Sequence, residues 1–306
     1  MASRDGRKHH NHPHTNPTNI MNDWILAARL RTLPAAIAPV LIGCAIAYQS
    51  GSFHLLAALM AMLGAVLIQI GTNFANDYFD FVNGADTEER IGPTRATQAG
   101  LITPSSMRLA FIITFALVVP IIGYMAYRGG WPLIGVGVLS IISGILYTGG
   151  PKPLGYMGLG DIFVLVFFGP VAVAGTEYVQ SLSLSSEAIL AGTASGLIST
   201  AILVVNNLRD QETDRKVGKN TLAVRFGTTF VRYEYSFCFV MTALITIYLA
   251  YMHSYWVLVS LFPLLRAIPI NHSMWTQSGA DLDPNLGKTA QVLILYSLFF
   301  SLSWLL

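Results

Sequence analysis

The sequence has 306 residues, of which 53% are hydrophobic and only 11% are charged. About a quarter of the residues in a soluble protein are charged. These values, with a mean hydropathy of +0.55, therefore exclude an ordinary soluble domain and indicate a polytopic membrane protein. The net charge of +2 is too small to indicate nucleic-acid binding, and two cysteines inside apolar runs predict neither disulfides nor a zinc site.

The N-terminal stretch is polar and carries a group of histidines between residues 9 and 14. We expect residues 1–22 to form a disordered cytoplasmic tail, although a histidine-rich stretch can also bind metal. It lacks the apolar core of a signal peptide. Residues 23–306 are expected to form a single transmembrane domain.

Nine apolar segments follow Trp24, and several are close to the lower limit of about 17 residues for spanning the hydrocarbon of a bilayer. No stretch has the pattern of a strand. The sequence therefore predicts an all-α membrane protein with nine transmembrane helices. The segments lie near residues 33–49, 54–75, 107–127, 131–148, 161–179, 187–206, 233–251, 254–271 and 289–305.

The basic residues are distributed unevenly about these nine segments. Of the 18 Lys and Arg residues in the chain, Arg128 is the one assigned to the outer side. Because basic residues concentrate in cytoplasmic loops, we expect the N-terminus and the long loops to be cytoplasmic and the C-terminus to lie outside. The implied location is the inner (cytoplasmic) membrane of a bacterium.

Polar clusters close the second and sixth segments. The first contains Asn73, Asn76, Asp77 and Asp80, with Asp86 further on, and the second contains Asn206, Arg209, Asp210 and Asp214. Spacings of three and four residues predict that each cluster occupies one helical face. Carboxylates crowded beside a membrane repel one another by about 4 kcal/mol per close pair at an effective dielectric near 20. A hard cation such as Mg²⁺ is the simplest counter-ion.

Asn73 and Asp77 also match Asn206 and Asp210 at one constant offset of 133 residues, which indicates a parallel internal repeat. Long loops are expected after both clusters, over residues 76–106 and 207–232, and loops of that length are often functional. Their basic side chains, Lys219 among them, are suited to phosphate oxygens.

Three more polar residues stand at segment ends. Tyr147 and Lys152 follow the fourth segment, and Asp161 opens the fifth. Each has a structural alternative, because Tyr147 suits an aromatic belt, Lys152 an interfacial anchor and Asp161 a helix N-cap. The alternative for all three is contact with a substrate.

With these motifs the chain resembles the UbiA superfamily of intramembrane prenyltransferases, over essentially Trp24 to Leu306. The motifs are Asn76-Asp-Tyr-Phe-Asp80, Gly158-Leu-Gly-Asp161, Asn206-Asn-Leu-Arg-Asp210 and Gly218-Lys-Asn-Thr-Leu222. They are most similar to the branch that prenylates 1,4-dihydroxy-2-naphthoate. Members of this family often have an aspartate four residues after the one that corresponds to Asp80. This chain departs from that pattern, because position 84 is glycine and the next acid is Asp86.

The resemblance implies a helical bundle around a central cavity, capped by cytoplasmic loops, with two Mg²⁺ ions holding a prenyl diphosphate. The implied metal ligands are Asp77, Asp80, Asp86, Asp210 and Asp214, and all of them except Asp86 are also implied in catalysis. The implied substrate-binding residues are Asn73, Asn76, Asn206, Lys152, Tyr147, Asp161, Arg209 and Lys219.

The implied reaction transfers a polyprenyl group from an allylic polyprenyl diphosphate to 1,4-dihydroxy-2-naphthoate. It releases CO2 and diphosphate and gives demethylmenaquinol or demethylmenaquinone. One alternative is another aromatic acid, such as 4-hydroxybenzoate. A cation-coupled transporter is the alternative from a different class, and it is disfavoured because the acids gather at one membrane face rather than near the midplane.

Overall fold

The computed structural model describes residues 17–85 and 91–306, and within these ranges the chain is helical with no strand. The α-helices are α1 Pro17–Ala28, α2 Leu33–Gln49, α3 Leu55–Val82, α4 Pro104–Gly129, α5 Trp131–Leu146, α6 Gly160–Val166, α7 Ala172–Ser181, α8 Ser186–Arg209, α9 Gln211–Lys216, α10 Leu222–Met252, α11 Ala267–Thr276 and α12 Asp283–Trp304. Tyr255–Arg266 forms a long 3₁₀ stretch before α11.

In the described part of the chain, eight helical stretches are long and apolar enough to cross a membrane. The α5 helix is a ninth apolar helix, but it is shorter. These nine elements correspond one for one to the predicted segments, so the all-helical multi-pass fold is confirmed. The eight long stretches are Ile20–Gln49, Leu55–Val82, Pro104–Gly129, Gly160–Ser181, Ser186–Arg209, Leu222–Met252, Tyr255–Thr276 and Gly279–Trp304.

The helix ends differ from the predicted segment ends. The α1 helix begins at Pro17, inside the tail predicted for residues 1–22. The α3 helix continues through the first polar cluster to Val82, and α9 with the start of α10 occupies much of the loop predicted for residues 207–232. Hydropathy marks where an apolar run stops, whereas a helix can continue as long as its backbone N–H and C=O groups stay paired. The two long loops are therefore shorter than predicted.

The α8 helix is the centre of the bundle and packs against α2, α6, α7, α10 and α12. Small residues allow the backbone of α8 to approach the break between α6 and α7 closely. A Cβ added at Gly169, in the break between α6 and α7, would lie 2.8 Å from the Gly192 carbonyl oxygen and 3.0 Å from the Gly196 Cα. Pro170 follows at the same break, and proline interrupts helical hydrogen bonding. Such small-residue contacts let membrane helices pack backbone to backbone.

The α3 and α8 helices finish at the same end of the bundle, which we call the polar end. Lys219, which lies between α9 and α10, connects the two helix ends. Its Nζ lies 3.6 Å from the Asp80 carboxylate on α3, and its backbone N–H donates to the Asp214 carbonyl oxygen at 2.9 Å. The fold therefore brings the two polar clusters to one place.

Candidate active site

The polar end encloses a cavity of about 740 Å³, which we call the polar cavity. Residues from both clusters line it, together with side chains from the connecting segments. Its polar lining includes Asn76, Asp80, Arg95, Tyr147, Thr148, Tyr156, Asn206, Arg209, Asp210, Asp214, Lys219 and Asp283. The structure thus joins the ends of α3 and α8 in a single site.

Among the described acids of the first cluster, Asp80 is the one that lines this cavity. It is only 1% exposed, and its Oδ2 accepts a hydrogen bond from Arg95 at 2.9 Å. The hydroxyl of Tyr156 donates to Oδ1 at 3.2 Å, and the Lys219 ammonium lies 5.0 Å from the centre of the Tyr156 ring. A buried carboxylate needs such compensation, so Arg95, Tyr156 and Lys219 form its immediate surroundings.

Arg209 organises the second cluster. Its guanidinium donates to both carboxylate oxygens of Asp210 at 2.7 Å, to Asp283 at 2.7 Å and to the Asn206 amide oxygen at 2.9 Å. Such a two-pronged ion pair is strong and directional. Arg209 is therefore a fixed counter-ion that orients Asp210 and Asn206, and its donors already point at protein groups.

Asp77 lies outside the lining of the polar cavity. Its Oδ1 accepts from the backbone N–H of Thr97 at 3.0 Å, and its Oδ2 accepts from the backbone N–H of Ala96 at 3.1 Å. Residues three apart on a helix differ by about 60° in direction. Asp80 therefore lines the cavity while Asp77 holds the turn that follows Arg95, and a metal-ligand role for Asp77 stays a prediction.

The same rotation shifts the internal repeat. Asn73 donates to the Ala28 carbonyl oxygen and to Thr32 Oγ1, each at 2.9 Å, so its amide group is used between α3 and the α1–α2 turn. Asn76, three residues later, lines the polar cavity and accepts from Thr148 at 2.8 Å. Asn76 and Asp80 therefore line the polar cavity together with Asn206 and Asp210, and these pairs are separated by 130 residues rather than 133.

Tyr147 lines the polar cavity as expected. Burial raises the pKa of its phenol above the ordinary value, and the negative charges of Asp161, Asp214 and Asp80 raise the pKa further. The phenol therefore stays neutral and can donate a hydrogen bond to an anion in the cavity.

Two other predicted site residues lie elsewhere, and a third is outside the described residues. Lys152 is exposed and lines no part of the polar cavity. Asp161 is 5% exposed, and its Oδ1 has no hydrogen-bond partner among the described residues, but it lies outside the cavity lining. Asp86 falls in residues 86–90, outside the described ranges.

A second, apolar cavity of about 300 Å³ continues from the first, and we call it the apolar tunnel. The two share a ring of residues that we call the junction, made of Gln69, Asn76, Tyr147, Val164 and Phe168. Along α5 the tunnel lining runs from Tyr147 back to Leu133, a rise of about 21 Å at 1.5 Å per residue. Phe163 and Phe167, stacked at 5.9 Å, form part of its wall. A polar chamber therefore opens into an apolar channel across the bundle.

The donor atoms of the polar cavity fit Mg²⁺, because carboxylate and amide oxygens are its preferred ligands. Among the described residues, however, no three His, Cys, Asp or Glu side chains come together as a metal cluster. Arg95 and Arg209 neutralise Asp80 and Asp210 instead. Mg²⁺ commonly binds one or two carboxylates and completes its shell with substrate phosphate and water. The arrangement fits an ion that enters with an anionic substrate.

Sequence reasoning missed Tyr156, Arg95 and Asp283 as neighbours of the acids. Tyr156 and Asp80 are 76 residues apart in the chain, and no spacing rule connects them. The basic residues between the clusters were a usable signal for Arg95, because a buried carboxylate requires a nearby cation. Asp283 opens α12 without any motif around it.

These features define an intramembrane enzyme for a ligand that joins an anionic head to a long apolar tail. The sequence profile of the UbiA prenyltransferase family matches residues 36–300, and the chain belongs to this family of prenyltransferases.

Named relatives and solved structures agree with this family. The chain is 41% identical to a 1,4-dihydroxy-2-naphthoate octaprenyltransferase of Escherichia coli (strain K12), covering 91% of this chain and 94% of that protein. It is 39% identical to the Haemophilus influenzae protein of the same name, covering 92% and 96%. A UbiA homolog from Archaeoglobus fulgidus, solved with DMAPP and Mg²⁺, has the same fold, with a TM-score of 0.66 at 14% identity over 92% of this chain and 99% of that one.

Proposed function

We propose that this prenyltransferase transfers a polyprenyl group from a polyprenyl diphosphate to 1,4-dihydroxy-2-naphthoate. The observation that carries the proposal is the continuity of the polar cavity, where the ends of α3 and α8 meet, with the apolar tunnel. The naphthoate acceptor is supported by the relatives at 39% and 41% identity, which are named for it.

The two cavities divide the donor between them. The diphosphate belongs in the polar cavity, where Asp80, Asp210 and Asp214 would hold Mg²⁺ and Lys219 would meet phosphate oxygens. The prenyl tail belongs in the apolar tunnel, because its burial there is favourable. The carbon that joins head to tail then lies at the junction.

Bond breaking at the junction leaves an allylic cation and a departing diphosphate. Bound Mg²⁺ would stabilise charge on the leaving group. Lys219 and the neutral phenol of Tyr147 add positive charge and a hydrogen bond at the same place. The rings of Phe163, Phe167 and Phe168 line the tunnel beside the cation, where aromatic faces are favourable and apolar walls keep water away.

The acceptor completes the reaction by electrophilic substitution. The ring carbon that bears the carboxylate forms the new bond to the prenyl carbon, and the C–CO2 bond then breaks and returns its electron pair to the ring. Because CO2 leaves in place of a ring proton, the substitution requires no general base at that carbon.

The decisive experiment supplies the purified chain with a polyprenyl diphosphate and a panel of aromatic acids, with product masses as the readout. A prenylated product that has lost CO2, formed from 1,4-dihydroxy-2-naphthoate alone, supports the proposal. A product from 4-hydroxybenzoate that keeps its carboxyl group would replace it. Asp80→Ala and Asp210→Ala should each remove most activity, and removal of divalent ions by a chelator should have the same effect. Glu212→Ala, at an exposed acid paired with Arg215, is the matched control.

We also propose that the protein lies in the bacterial inner membrane with its polar end toward the cytoplasm. The basic residues near the polar end, including Arg95 and Lys219, support that orientation, and the bacterial relatives support that membrane.

A further inference from the structure

The turn between α1 and α2 forms one wall of the polar cavity. Arg29, Arg31 and Thr32 all line that cavity. Arg29 adopts a left-handed conformation with φ 51° and ψ 64°, which only Gly adopts readily. Residues held in such conformations cluster at functional sites, where the surrounding structure enforces them.

Side chains of α3 enforce this turn. Thr32 Oγ1 donates to the Arg29 carbonyl oxygen at 2.9 Å and accepts from both Gln69 Nε2 and Asn73 Nδ2 at 2.9 Å. Asn73 also donates to the Ala28 carbonyl oxygen. The hydroxyl has one proton and two lone pairs, so its hydrogen-bonding capacity is filled. The turn is therefore fixed against α3. Because Gln69 is itself a junction residue, the turn is held directly beside the junction.

Three of the cations that line the polar cavity are paired with its acids. Arg95 and Lys219 serve Asp80, and Arg209 serves Asp210. Arg31 is an exposed residue of the α1–α2 turn that lines the same cavity near Leu30 and Ala35. In the part of the chain that the structure describes, its side chain has no ion-pair partner. The α1–α2 turn thus contributes a cation to the cavity lining, while Asp80 and Asp210 are neutralised by other cations.

The chemistry of the acceptor requires such a cation. In the proposed reaction, the carboxylate is attached to the ring carbon that bonds to the prenyl carbon at the junction. The carboxylate must therefore lie close to the junction. The diphosphate that the proposed reaction places in the same cavity would repel it. We propose that Arg31, presented by the turn that Gln69 and Asn73 hold, binds the carboxylate of the aromatic acceptor. This inference rests on the proposed function, and it assigns the acceptor and the diphosphate to different cations.

The test compares Arg31→Ala, Arg31→Lys and a control, Arg215→Ala, at an exposed arginine that is paired with Glu212 and lines neither cavity. The KM values for 1,4-dihydroxy-2-naphthoate and for the polyprenyl diphosphate are measured separately. Equilibrium Kd values are also measured for 1-hydroxy-2-naphthoate and for 1-naphthol, which differ by the carboxylate. Membrane levels of each variant confirm folding.

Loss of a charged hydrogen bond predicts that Arg31→Ala raises the KM for the naphthoate and the Kd for 1-hydroxy-2-naphthoate by about 10- to 100-fold. Binding of 1-naphthol and the KM for the diphosphate should be unchanged, and Arg31→Lys should recover part of the loss. Equal weakening of both naphthalene ligands, or a raised KM for the diphosphate alone, would overturn the assignment. Absence of naphthoate prenylation by the unmutated chain would instead refute the proposed function, and the two Kd values would still decide the role of Arg31.

Discussion

Replacing Asp77 with asparagine separates two roles that the sequence alone cannot distinguish. In the structure, both carboxylate oxygens accept backbone hydrogen bonds from Ala96 and Thr97, and the side chain is 1% exposed. Asparagine keeps one acceptor and turns an NH2 group toward the second backbone N–H. One buried donor is then unsatisfied and the other hydrogen bond loses its charge, at a combined cost of about 2–4 kcal/mol.

This cost is local, since it falls on the turn that follows Arg95. At 1.4 kcal/mol per tenfold change, protection of the Ala96 and Thr97 amides against hydrogen exchange should fall about 30- to 700-fold. Activity should also fall, because Arg95 loses its fixed position 2.9 Å from Asp80. The double variant Asp77→Asn/Arg95→Ala should be little worse than Arg95→Ala alone, since the two changes act on one contact.

Hydrogen-exchange mass spectrometry of the peptide that contains Ala96 and Thr97 measures the loss of amide protection. A Mg²⁺ titration of activity tests the alternative role of Asp77, that of a metal ligand. Asp80→Asn is the matched control, because it should raise the Mg²⁺ requirement and leave the two amides protected. Unchanged exchange in Asp77→Asn together with a raised Mg²⁺ requirement would refute the reasoning and restore Asp77 as a metal ligand.

Further predictions concern the tunnel, the cations, the membrane orientation and pH. Gly175 lines the tunnel, and a Cβ there meets nothing within 4 Å, so Gly175→Leu should raise KM for a long prenyl donor but leave geranyl diphosphate unaffected. An overpacking cost of about 1–3 kcal/mol corresponds to roughly 5- to 150-fold. Lys219→Ala should raise donor KM, whereas Lys152→Ala, at an exposed position away from the cavity, should match the unmutated chain; equal effects would contradict this division. A reporter after Leu306 should lie outside and one near Lys219 inside, and finding both on one side would refute the nine-span topology. The raised pKa of Tyr147 moves loss of its proton above about pH 10, so the rate ratio of Tyr147→Phe to the unmutated chain should stay constant from about pH 6 to 9.

The sequence predicted the helical fold well, because each spanning helix leaves a long apolar run that hydropathy detects directly. It also located the two polar clusters at helix ends. It could not resolve which residues of a cluster face the cavity. The rotation of about 60° between Asp77 and Asp80 follows from helix geometry, but the direction each one faces depends on how the helix packs. The contact between Arg209 and Asp283 was similarly hidden, because it joins residues 74 apart.

Lys152 illustrates the opposite error. A basic residue after the fourth segment is equally consistent with a substrate ligand and with an interfacial anchor. Its exposure outside the cavity lining favours the anchor, and the motif around it carried no information about direction.

The short α5 helix has a consequence for the surrounding lipid. Its 16 residues rise about 24 Å, whereas the hydrocarbon of a typical bilayer is about 30 Å thick. Exposed side chains such as Leu139 and Ile142 turn outward from it, so the adjacent acyl chains have to compress to match it, at a cost of fractions of a kcal/mol per Å. The α5 helix also forms one wall of the apolar tunnel and has few contacts with α7, the wall beside it. The lipid compressed beside α5 therefore borders a loosely packed side of the tunnel, which offers a product with a polar ring and a long tail a route into the bilayer.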